Sequence, residues 1–239
     1  VAEEFEDQDL SDAVFWGVDL RRARFRDVFL DGATITHARL VDVTIDGLVE
    51  RLVVNGVDVT EYVNERDQWY PLRAMLEPTD PGGLLAARNA LDEAWAAAIE
   101  QAATLSDDRR HASVDGEWSF VQTLQHLVFA TDKWFSLPVL GDTAFNPAGL
   151  PNTGSRDFPW PGLDLAATPS FDELVAARAE QSRRQQVFID TVTTDQLAGT
   201  TTVLENGEAT VQGCLHVVFE EDFQHLRYAR RDLAVLVRK

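Results

Sequence analysis

The stretch WSFVQTLQHLVFATDKW, Trp118 to Trp134, sets a single histidine, His126, in a largely apolar run with helical spacing. Ser119 and Gln122 at its start match the Ser-x-x-Gln pattern of a capping box, in which each side chain satisfies a backbone N–H that the first helical turn leaves open. The stretch therefore predicts a helix from Ser119 to about Phe135.

Three more helical segments flank it. One runs from about Gly82 to Leu105, behind the boundary PTDPGG, with Asp80 suited to the N-cap and Pro81 to the first helical position. Leu84, Leu91, Trp95 and Ile99 fall on its inner side. A third segment, about Ser170 to Val192, opens on a second capping box, Ser170 and Glu173. A fourth spans about Thr210 to Val235, after TTTVLENGEATV, which reads as a small hairpin turning at Asn206-Gly207. Between the second and third lies a Pro- and Gly-rich segment, Leu137 to Pro169, and a loop this long inside a domain is usually functional or disordered. Four helices with one long crossover predict a bundle over residues 83–239.

The fourth segment carries the chemistry. At ~100° per residue, Glu221 and His225 lie about 40° apart on one face, with Cys214 and Val218 extending that face. His216 lies about 180° from His225, so one straight helix cannot offer both to the same ion. An i, i+4 carboxylate–imidazole pair sets an oxygen beside a nitrogen, as zinc accepts. Taken alone, the pair reads as an intrahelical ion pair worth ~0.3–0.5 kcal/mol, and His126 as a hydrogen-bonded core histidine. His216–Glu220 is a competing pair, and Asp222 a further carboxylate. His37 and His111 fall in polar surroundings and read as solvated. Cys214 sits ~10 Å along the helix from Glu221 and reads as a buried structural cysteine.

The order of these segments, with His126 on the second helix and Glu221-x-x-x-His225 in CLHVVFEEDFQHLRYARRDL on the last, resembles the DinB-like four-helix metalloprotein superfamily. The Glu-x-x-x-His form is similar to the branch of mycothiol-dependent maleylpyruvate isomerase. The resemblance implies that His126, Glu221 and His225 hold one divalent metal, zinc by default. It also implies a low-molecular-weight thiol as cosubstrate. Three protein ligands leave a coordination position open, as catalytic zinc sites do. Trp118, Trp134 and Trp160 are expected to wall the pocket.

Residues before this bundle follow a different rule. Phe5, Leu10, Phe15, Leu20, Phe25, Leu30, Ile35, Leu40 and Ile45 recur every five residues, with small residues two positions ahead. Five fits neither a helix nor a strand, but fits a solenoid that turns a corner once per unit. The pattern resembles the pentapeptide-repeat family, which implies a short right-handed quadrilateral β-helix over residues 1–58, a mainly α chain with an N-terminal β segment. Residues 59–82 are expected as a linker, preceded by a turn at Asn55-Gly56 and holding a short helix that stops near Pro71. The stub's apolar end calls for cover, from the bundle or from a second copy in a homodimer.

The net charge is -19 and the pI about 4.5. Such a surface repels phosphate backbones and anionic lipid, so neither nucleic acid nor membrane is expected as a partner, and a small-molecule substrate is. A topoisomerase-binding DNA mimic is disfavoured by Arg21, Arg22, Arg24 and Arg26 within the repeat. The single cysteine fits a reducing compartment, and the sequence VAEEFEDQDL lacks the features of a signal peptide, so a cytoplasmic location is expected. Two functions fit these observations: a metal-dependent thiol S-transferase or thiol-dependent isomerase, or a non-catalytic metal-binding or scaffold protein that self-associates through the repeat.

Overall fold

The computed structural model describes residues 4–5, 8–25, 28–152 and 158–238. The chain divides into two units, Val1–Asp46 and Gly47–Lys239.

In the first unit the five-residue period appears as turns. Ala13, Ala23 and Ala33 donate their N–H groups to Leu10, Leu20 and Leu30 carbonyls, each at 3.0 Å. Asp12, Gly17, Arg22, Gly32, His37 and Asp42 all take positive φ, between 54° and 70°. These positions fall on a strict five-residue grid, and the residue before the donor of such a turn needs positive φ in a type II turn. No strand is present among the described residues of this unit. The large residues expected to point inward are exposed, Phe15 at 59%, Phe25 at 63% and Ile35 at 73%. Among the described residues, the first unit thus shows the corners of the expected β-helix, and its ladders and inward row are not shown. Turns set the bends, but burial needs coils hydrogen-bonded above and below one another.

The second unit begins with a hairpin, β1 (Val53–Val54) and β2 (Val57–Asp58). Asn55 and Gly56 turn it, both at positive φ (51° and 82°), as a two-residue I′ loop demands. Two short helices follow, α1 (Thr60–Asn64) and α2 (Tyr70–Arg73). Pro71 lies in the first turn of α2 instead of ending a helix, because its missing N–H is unneeded there. Residues 59–82, expected as a linker, send Trp69, Leu72 and Leu76 into the cores of the bundle.

The four long helices are α3 (Pro81–Ala103), α5 (Phe120–Thr131), α6 (Phe171–Ile189) and α8 (Val211–Leu236), with the short α4 (Asp107–Arg110) and α7 (Thr194–Leu197) between them. Their caps are those the sequence announces. Asp80 accepts from Gly83 N, and the Ser119–Gln122 and Ser170–Glu173 capping boxes are both closed. The strands β3 (Thr200–Thr202) and β4 (Glu208–Thr210) form the expected hairpin, with Gly207 at φ 80°. Helices α3 and α5 each pack on both α6 and α8. One core cluster fills the bundle around Trp95, Phe120, Leu124 and Leu226, and a second around Leu91, Phe135, Phe219 and Phe223. No helix among the described residues is long and apolar enough to cross a membrane.

Helix α5 ends in a π-helical turn, Asp132–Ser136, and the crossover then folds back along it. Leu150 N donates to Gln125 O at 3.0 Å, and Asn146 N to Asp132 Oδ2 at 2.7 Å. Phe145 and Trp160 of the crossover pack on Phe129 as a third apolar cluster. The long loop is therefore strapped to the helix that carries His126.

Candidate metal centre

Each ligand candidate is placed by its helix. His126 lies on the buried face of α5 and is 2% exposed. Glu221 and His225 lie one turn apart on α8, as i, i+4 spacing requires. Glu221 Oε2 is 3.3 Å from His126 Nε2 and 3.2 Å from His225 Nε2. The ligand atoms of the three residues all lie within 4.8 Å of one another, the one such group of His, Cys, Asp or Glu among the described residues. The two imidazole centroids are 4.8 Å apart. For bonds of about 2.1 Å in tetrahedral geometry, ligand atoms stand about 3.4 Å apart, so the two contacts to Glu221 already match a metal's edge length.

The hydrogen bonding favours a cation at this point. His126 Nδ1 lies 3.0 Å from Leu150 O, a carbonyl that can only accept, so Nδ1 carries a proton and donates it. Nε2, the other ring nitrogen, then faces the carboxylate of Glu221. Burial pushes the Glu221 carboxyl up, but hydrogen bonds and charge from His126 and His225 outweigh it and hold the group down at about 2. An ionised carboxylate beside two imidazole nitrogens is a donor set that a divalent cation can share. The Leu150 carbonyl fixes the tautomer in which Nε2 is free to bind metal. The donor set of two imidazoles and one carboxylate suits zinc.

The surroundings are aromatic. Trp118 stacks on His225 with centroids 5.8 Å apart and rings 16° from parallel, and lies 4.6 Å from His126. Arg231 holds the preceding residue, Glu117, to α8 at 2.6 Å and also lies over Tyr228, which meets His225 edge-on at 6.1 Å. Of the three tryptophans expected as walls, Trp118 is at the site. Trp160 is one ring removed, against Phe129, which itself lies 6.2 Å from His126. Trp134 packs instead on the second core cluster, because it stands eight residues, about 12 Å at 1.5 Å per residue, along the helix from His126.

The competing residues fall elsewhere. His216 Nε2 lies 2.9 Å from Pro78 O. His37 and His111 are exposed. Cys214 is fully buried, and burial pushes its thiol up to about 11. Asp222 is bound between Arg88 and Arg178 in the core. This cluster was not recognised from the sequence, although Arg88 and Arg178 stand on rows of otherwise buried positions, Leu84-Arg88-Leu91-Trp95 and Leu174-Arg178-Gln181-Gln185.

The DinB superfamily profile matches residues 90–229, and a pentapeptide-repeat profile matches residues 5–47 in eight copies. No curated protein and no solved structure matches the chain.

Proposed function

The chain belongs to the DinB superfamily, and from that membership we propose a metal-dependent enzyme of thiol chemistry, a thiol S-transferase or thiol-dependent isomerase acting on a small organic substrate. His126, Glu221 and His225 hold one divalent metal, zinc by default. The observation that carries this reading is the meeting of their three ligand atoms within 4.8 Å around an ionised carboxylate. A bound divalent ion supplies Lewis acidity that favours the deprotonated form of a thiol at its open position. The protein's own contribution is orientation: Leu150 O holds the His126 tautomer, and the Trp118 indole packs against both imidazoles. A low-molecular-weight thiol similar to mycothiol fits as cosubstrate by family likeness to the Glu-x-x-x-His branch. The test is metal analysis of the purified chain beside its His126→Ala variant, followed by zinc-dependent binding of low-molecular-weight thiols. A wild-type chain that holds no divalent metal at stoichiometric level overturns the reading.

For the first unit, the finer proposal is that the eight repeats close into a right-handed β-helix. The support is the positive-φ corner recurring every five residues. An open row of Phe15, Leu20, Phe25 and Leu30 is a larger apolar surface than soluble chains usually leave in water, which favours closing the coil.

A further inference from the structure

One residue past Glu221, Asp222 is fully buried and lies between two buried guanidinium groups. Arg88 Nη1 of α3 reaches its Oδ2 at 2.6 Å, and Arg178 Nη2 of α6 donates to its Oδ1. The backbone carbonyl of Asp222 accepts from Trp95 Nε1 of α3 at 3.0 Å. Arg88 is also paired with Asp92 at 2.8 Å and donates to Gln185 Oε1 at 3.3 Å. Arg178 Nη1 donates to Thr131 Oγ1 at 2.9 Å and to Leu127 O at 3.4 Å, both on α5. All four long helices thus meet through directional bonds at one level. On α8 the network grips the residue after Glu221, and on α5 the residue after His126.

Apolar packing holds helices at a distance but tolerates rotation and sliding, whereas buried ion pairs and hydrogen bonds have direction and constrain both. The site needs that precision. A shift of α8 by one residue turns its side chains by ~100° and carries Glu221 away from His126. The two arginines are matched in charge by Asp222 and Asp92, so the network closes electrically.

We propose that Arg88, Arg178 and Asp222 are positioning residues for the metal centre. They set the rotation and register of α8 against α5 that bring Glu221 and His225 to His126. The inference rests on the reading of that triad as a metal site.

The test uses the full chain and Co2+ as the probe, read by its visible d–d absorption and by titration. Wild type is expected to bind one Co2+. The triple variant Arg88→Met, Arg178→Met, Asp222→Leu replaces the three buried charged side chains with apolar ones. Such replacements are often neutral or stabilising for the fold, so the thermal midpoint is expected to hold or rise. Co2+ affinity is expected to fall about 10–100-fold, with a changed spectrum. A stable triple variant with wild-type affinity and spectrum overturns the proposal. If the triple variant does not fold, Arg178→Lys decides: it keeps a positive charge at Asp222 but loses the fork to Leu127 and Thr131. About a tenfold loss of affinity is expected for it, and wild-type affinity overturns the proposal. Failure of the wild type to bind Co2+ removes the metal reading itself and this inference with it. Binding by the wild type with unaltered variants removes only the inference.

Discussion

Glu221 Oε2 and His126 Nε2 face each other across two helices at 3.3 Å, with the other nitrogen of His126 bonded to the Leu150 carbonyl. Ninety-four residues separate them in the chain between α5 and α8, so their meeting is a product of the bundle and not of local sequence. The same oxygen of Glu221 lies 3.2 Å from His225. One carboxylate oxygen shared by two imidazoles leaves a single point at which a cation satisfies all three groups.

Metal binding should follow this geometry residue by residue. His126→Ala leaves two ligands and is expected to abolish stoichiometric binding of zinc. Glu221→Gln keeps the shape but removes the charge, and should weaken affinity about tenfold or more. His216→Ala should leave affinity unchanged, because that ring is engaged with Pro78 O. Competition titration against a chromophoric chelator reads all three, and a His216 variant as weak as the His126 variant would contradict the assignment.

Acid should expose the role of Glu221 in the metal-free protein. Its folded value, about 2, lies below the ordinary 4.5. The ionised group therefore stabilises the fold above pH 4.5, and that contribution is lost as pH falls from 4.5 towards 2. Urea midpoints measured at pH 6, 4.5 and 3 should drop more steeply for wild type than for Glu221→Gln. Parallel slopes would mean that the imidazoles do not hold the carboxylate down.

The helices of the bundle were legible because caps and periodicity are local. Ser119, Ser170 and Asp80 each announce a helix start, and each caps as expected. The meeting of His126 with Glu221 and His225 was legible because Glu221 and His225 share a face and His126 stands alone on an apolar helix. The Asp222 network escaped because charge normally marks a solvent face, and only the tertiary pairing of α3, α6 and α8 shows that Arg88, Arg178 and Asp222 neutralise one another. Trp134 packs on the second cluster for a simpler reason: eight residues of helical rise carry it about 12 Å from His126. In the repeat, the period gave the corners, but closure depends on contacts between coils that no five-residue unit encodes alone.

Closure of the repeat can be tested at Phe25, which is 63% exposed in this structure. If the coils close as proposed, the ring becomes core, and Phe25→Ala should cost about 3–5 kcal/mol in stability of the first unit. A chemical denaturation series followed by circular dichroism of the full chain would read this loss. A change below about 0.5 kcal/mol, as for ordinary surface substitutions, would leave the ring in water and the β-helix unformed.

Cys214 provides a check on the packing of the helix that carries Glu221 and His225. It lies on the face of α8 that leads through Val218 to Glu221, and is fully buried. Burial pushes its thiol from 9.0 up to about 11, so at pH 8 the native protein holds almost no thiolate at this position. Ellman's reagent at pH 8 should therefore react slowly with the native chain and promptly once urea unfolds it. The linkage has a definite sign. A thiol raised in the folded state contributes stability below pH 9.0 that is lost as pH rises towards 11, because the unfolded chain ionises first. Cys214→Ala removes that loss, so its urea midpoint should fall less between pH 8 and pH 10.5 than that of wild type. Rapid labelling of the native chain at pH 8 would mean that α8 opens at this turn, and with it the register that carries Glu221 and His225 to His126.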